Sequence, residues 1–102
     1  MPVLKLTEKN YDEIVSDKEK TILVDFWAEW CGACKMMMPM VEKLAERYPD
    51  IIIGKVNVDE ESSLVSRFNI MSIPTVLVYK NGEINYHQVG YRTVEQLEDL
   101  IY

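Results

Sequence analysis

Cysteine and histidine are scarce in this chain, with two of the first and one of the second among 102 residues. Structural zinc normally takes four ligands, and His87 is the only side chain that could join Cys31 and Cys34, so the composition argues against a metal site. Nowhere do about 18 apolar residues run together, and Met1 to Asn10 holds no apolar core of signal-peptide length. The expectation is a cytoplasmic protein with no membrane span, in which a cysteine pair serves chemistry better than stapling. Lys and Arg nowhere cluster with aromatics, and the net charge is −6, which argues against nucleic acid and anionic membranes as partners. Internal repeats, linkers and low-complexity tracts are also missing.

What is present suits one domain over residues 1–102, with 48% hydrophobic and 27% charged residues. Val3, Leu4 and Leu6 suggest a short first strand. Asn10 with Glu13 three positions on resembles a capping box for a helix to about Ser16. Asp17 to Lys20 reads as a solvated connector. Thr21 to Trp27 predicts a central strand, too apolar to have one wet face. From Cys31 a helix should run to about Tyr48, with Met37, Met40, Val41, Leu44, Ala45 and Tyr48 as its buried stripe and a kink at Pro39. Ile51 to Val58 predicts a second buried strand and Glu61 to Phe68 a short helix. This β-α-β-α-β-α order implies parallel strands with right-handed crossovers. Thr75 to Tyr79 and Ile84 to Val89 flank Asn81-Gly82, the strongest short hairpin signal, so the last two strands should be antiparallel. Thr93 with Gln96 then caps a final amphipathic helix carrying Val94, Leu97, Leu100 and Ile101.

The chemistry rests on Cys31 and Cys34, at the junction of the central strand and the long helix. Three helical residues turn through about 300°, so the two sulfurs share a face and can close and open a disulfide. Unpaired N–H groups and the positive dipole end of the helix favour a negative sulfur there. Cys31, nearer the helix start, is the expected exposed nucleophile, and Cys34, one turn in, the buried resolving thiol. A thiol of pKa about 8.5 is about 3% ionised at neutral pH and one of pKa about 7 about half ionised. With nucleophilicity falling along a Brønsted slope of about 0.4–0.5, the net gain is roughly threefold. The larger contribution should come from the intramolecular attack by Cys34.

That attack needs a proton acceptor for Cys34. Asp25 is the one acid in the apolar run Ile22 to Phe26, and desolvation would raise its pKa toward a useful value, with Lys55 on the neighbouring strand as a candidate modulating charge. A structural buried acid, or one facing out at the sheet's end, fits the residues equally well. His87 reads as an ordinary sheet residue. Met36, Met37, Met38 and Met40 point in different directions on a helix and read as core plus an adaptable apolar rim rather than a soft-metal site. Pro74, before a strand, would be trans by default.

The run Val24-Asp-Phe-Trp-Ala-Glu-Trp-Cys-Gly-Ala-Cys-Lys, followed by Pro39, Lys55, Asp59, Ile73-Pro74-Thr75, Asn81-Gly82 and Val89-Gly90, closely resembles the thioredoxin family over essentially the whole chain. The resemblance implies an α/β thioredoxin fold, a five-stranded mixed sheet of order 1-3-2-4-5 flanked by four helices. It implies Cys31 as nucleophile, Cys34 as resolving thiol, Asp25 as an acid tied to Cys34 with Lys55 beside it, and Pro74 as a cis proline next to the dithiol. Trp30, Gly32, Ala33, Ile73, Val89 and Gly90 would contact substrate, the backbone at Ile73 pairing with an extended segment and Asp59 holding the Trp30 indole. Ala33 departs from the proline usual in the family. Met71 stands where many relatives carry a polar residue.

The expected activity is reduction of protein disulfides by a monomer that needs no cofactor or metal and is recharged by a thioredoxin reductase. A specialised oxidant or isomerase, or a binding subunit with idle thiols, are the alternatives.

Overall fold

A computed structural model describes residues 3–102. Its elements run β1 (Leu4–Lys5), α1 (Tyr11–Val15), β2 (Ile22–Trp27), α2 (Gly32–Arg47), β3 (Ile52–Asn57), α3 (Ser62–Arg67), β4 (Thr75–Lys80), β5 (Glu83–Val89) and α4 (Val94–Ile101). They form one five-stranded sheet of order β1-β3-β2-β4-β5. β1, β3 and β2 are parallel, whereas β4 runs antiparallel to β2 and β5 antiparallel to β4. The mixed sheet expected from the sequence is therefore the one observed.

Alternation along the strands sorts the core into two layers. Leu23, Ile53, Val76 and Val78 face α2 and α4, meeting Met37, Val41, Leu44 and Leu97. Ile22, Val24, Phe26, Val56 and Leu77 face the other way, toward Tyr11 and Val15 of α1 and Leu64 of α3. Because β2 is covered on both faces, its sequence is apolar at every position but Asp25, and only its last residue, Trp27, is less than fully buried. Asp25 alternates with Leu23 and so lies on the layer that α2 covers.

The local signals were met unevenly. The capping box of α4 forms in full, with the Gln96 N–H donating to Thr93 Oγ1 at 3.2 Å and the Thr93 N–H to Gln96 Oε1 at 2.9 Å. The one expected at Asn10 does not. Asn10 already has helical dihedrals, and its Oδ1 accepts the Thr7 N–H at 2.7 Å, so it braces the turn before α1 rather than capping the helix after it. Asn81 and Gly82 both have positive φ, 57° and 79°, as a two-residue hairpin turn of the primed type requires. A register shift follows at Val78/Tyr79, which no sequence signal announced. Helix α2 passes through Pro39 as a single element despite the missing N–H.

Candidate functional site

The polypeptide leaves β2 at its carboxyl end, passes Ala28 to Trp30 and turns into α2 with Cys31 as the N-cap. Cys31 has extended dihedrals (φ −92°, ψ 108°), and its sulfur accepts the Cys34 N–H at 3.2 Å. Sulfur here takes the place that a Ser or Asp oxygen takes at other helix starts, so charge on Cys31 meets an N–H that would otherwise lack a partner. The two cysteines are joined as a disulfide, with their Cα atoms 5.2 Å apart.

Burial distinguishes the two sulfurs less sharply than expected. Cys34 has no solvent exposure, but Cys31, expected to be exposed, retains only 8%. The cover on Cys31 comes from a small cluster in which Cys31, Cys34 and Ala28 meet Trp27, Val58 and Ile73. Cys31 Sγ also lies 3.9 Å from the Ile73 carbonyl oxygen. The access that remains belongs to Cys31, as its position one turn before Cys34 requires.

Around this pair lies an apolar rim. Trp30 is 70% exposed, and its Nε1–H donates to Asp59 Oδ2 at 2.8 Å, which fixes a large hydrophobic ring against solvent. Gly32 and Ala33 are exposed in the first turn of α2. The Ile73–Pro74 bond is cis, and the Pro74 carbonyl accepts the Gly90 N–H at 2.8 Å, bringing the exposed Val89 to the same edge. Gly90 has φ 103°, a conformation other residues avoid. Trp30, Met71, Ser72 and Ile73 border a groove of about 340 Å³ whose floor is Val58, Val65 and Ile70. These three floor residues went unread in the sequence as site residues, because they converge from the end of β3, from α3 and from the loop after it only once the chain is folded.

Asp25 is fully buried, and neither carboxylate oxygen has a hydrogen-bond partner among the described residues. The alternative of an acid facing outward at the sheet's end is thereby overturned, since β2 is an interior strand. Loss of hydration pushes its pKa up to about 7, with the Lys55 ammonium pulling in the other direction. Lys55 is its register partner on β3, so both side chains project to the layer under α2, the helix that begins with the cysteines. Lys55 Nζ stands 5.5 Å from the centroid of the Trp27 ring. His87 is an exposed residue of β5, paired with Leu77, away from this cluster.

A cysteine pair at disulfide distance on a helix N-terminus, placed at the carboxyl end of a central strand, defines a thiol–disulfide oxidoreductase. Comparison with known proteins gives the particular family. A family profile described as Thioredoxin matches residues 2–102. The chain is 44% identical over 96 residues to the thioredoxin of Alicyclobacillus acidocaldarius, covering 93% of this chain and 90% of that one. It is 43% identical over 104 residues to the thioredoxin of Staphylococcus haemolyticus, covering 99% and 96%. Among solved structures, one from a study of thiol resolution in a yeast mitochondrial 1-Cys peroxiredoxin by glutathione and thioredoxin systems superposes with a TM-score of 0.88 at 30% identity, over 97% of this chain and 92% of that one. The chain belongs to the thioredoxin family and is a disulfide oxidoreductase. Membership implies, in general terms, disulfide-containing protein substrates and a reductase partner. No helix among the described residues is long and apolar enough to cross a membrane.

Proposed function

We propose that the chain works as a cytoplasmic, monomeric dithiol reductant of protein disulfides, with Cys31 as nucleophile, Cys34 as resolving thiol and Asp25 as proton acceptor. The Cys31 thiolate attacks one sulfur of the substrate disulfide, forming a Cys31–substrate disulfide and expelling the other substrate sulfur as thiolate. Cys34 then gives its proton to the Asp25 carboxylate, and its sulfur attacks Cys31 Sγ, releasing the second substrate sulfur. Two electrons pass to the substrate, and the protein is left with the Cys31–Cys34 disulfide. A thioredoxin reductase restores the dithiol, and no cofactor or metal takes part in the protein's own step.

The observation that carries this reading is the asymmetry of the pair. One sulfur retains access at a helix N-cap and the other is sealed from solvent, while Asp25, an acid without a hydrogen-bond partner among the described residues, is buried in the layer that α2 covers. A pKa near 7 leaves Asp25 about half in its basic form at neutral pH, suited to both taking and returning a proton. The substrate would lie along the rim, its extended backbone pairing at Ile73 and its side chains meeting Trp30, Gly32, Ala33, Val89 and Gly90. We expect Cys34→Ser to accumulate a mixed disulfide with a protein substrate and Cys31→Ser to lose disulfide reduction. Full activity of the Cys31→Ser variant would overturn the assignment.

Direction is decided separately. The side chain of Ala33 leaves the dithiol loop freer than a proline ring would. A potential near about −270 mV against glutathione supports a reductant, and one near about −180 mV an isomerase.

A further inference from the structure

The sheet carries a row of side chains beneath α2 that extends past the residues assigned above. In register across the strands, Lys5 of β1 pairs with Lys55 of β3, Lys55 with Asp25 of β2, and Asp25 with Val76 of β4. Register partners in parallel strands project to the same face, so two ammonium groups lie in line on one side of Asp25, and β4 contributes no charge on the other. Lys5 is not free: its Nζ is 3.5 Å from Glu60 Oε1, in the connection between β3 and α3. Lys5, Glu60, Lys55, Trp27, Asn57 and Glu29 together line a cavity of about 250 Å³. The charged groups on the Asp25 side of the sheet are then Lys55 from β3, Lys5 behind it from β1, and the Glu29 and Glu60 carboxylates that line the same cavity, with α2 covering the layer.

We propose that the Lys5–Glu60 pair is a positioning device: Glu60 cancels the second ammonium of the row, so that Asp25 faces the charge of Lys55 alone and stays divided between its acid and basic forms at the pH of turnover. Neither residue touches the reacting sulfurs. Both act through the field at Asp25, and the inference rests on the reading of Asp25 as the proton acceptor. Two strand spacings separate Lys5 from Asp25, about 10 Å. At that distance, with an effective dielectric constant of about 60, one uncompensated charge moves a titration midpoint by about 0.4 pH.

The test is the titration of the Asp25 carboxyl carbon by NMR in the full chain, as wild type, Glu60→Gln, Lys5→Gln and the double variant, at low ionic strength. Glu60→Gln leaves Lys5 unopposed, and the midpoint should fall by about 0.4 pH. Lys5→Gln leaves Glu60 unopposed, and the midpoint should rise by a similar or smaller amount. The double variant should return close to wild type, and about 0.5 M salt should shrink both shifts. A pair that is only structural would lower the thermal midpoint in both single variants without moving the titration in opposite directions. Unmoved midpoints, or movement in the same direction, overturn the proposal. The pH profile of disulfide reduction, measured on the same variants, separates the two readings: a titration that moves while the rate profile does not supports the pair as a tuning device and overturns Asp25 as the acceptor.

Discussion

Under the proposed mechanism, Asp25 couples the stability of the molecule to its chemistry. An unfolded aspartate ionises near its ordinary value of 3.8, whereas in the fold the group keeps its proton up to about 7. Between those values the folded state binds more protons, so its stability is complete below the lower one and declines as pH rises through the upper one. The full difference is worth about 4 kcal/mol, which Asp25→Asn should recover in large part above pH 8. Thermal melts of the two proteins at pH 5 and pH 8.5 check this: the variant should gain far more at the higher pH, and an equal gain at both would refute the assignment. Removing the acid should also slow the Cys34 step. Stability and turnover should therefore move in opposite directions, and single-turnover release from the Cys31 mixed disulfide would show it. At this scale the sequence was legible in kind. It marked Asp25 as the odd residue of an apolar strand and Cys31 and Cys34 as a reactive pair, but it could not say how much of Cys31 the cluster of Trp27, Val58 and Ile73 would cover. That cover is made by residues far apart in the chain.

Among the elements, the signals that were read correctly are those whose partners are close in sequence. The Thr93–Gln96 box and the Asn81-Gly82 turn are complete within four residues, and both form as expected. Asn10 failed although its partner is just as near in sequence. Thr7 offered its N–H to the same oxygen first, and a pattern match cannot see that competition. Thr93→Ala removes one capping acceptor from a helix of only eight residues, and we expect a loss of about 1 kcal/mol in urea unfolding with an unchanged slope. Gly54 on β3 is a second case of a tertiary requirement hidden in the sequence. A Cβ there would stand 2.5 Å from a Leu6 methyl group, in a layer where Leu6 is fully buried. Gly54→Ala should cost about 1–3 kcal/mol by overpacking, and pairing it with Leu6→Ala should recover part of that loss.

In the whole molecule, the order β1-β3-β2-β4-β5 puts the strand that delivers the dithiol at the centre, with two strands on either side. Amide exchange should accordingly be slowest in β2, β3 and β4 and faster in α1 and in β5, whose side chains are largely exposed. A slowest-exchanging core located in α1 or β5 would contradict that ranking. The helices are clamped to each other in pairs, one pair on each face of the sheet. The Tyr48 hydroxyl donates to Glu98 at 2.7 Å between α2 and α4, and Arg67 grips Asp12 through two nitrogens between α3 and α1.

The hairpin turn at Asn81-Gly82 lies where β2 begins, since Tyr79 pairs with Ile22, and the cysteines lie where β2 ends. A strand of six residues separates these poles by about 20 Å. The protein thus has a natural handle. Attached through position 81 to a bead or an electrode, it would present its redox face to solution, every molecule oriented alike.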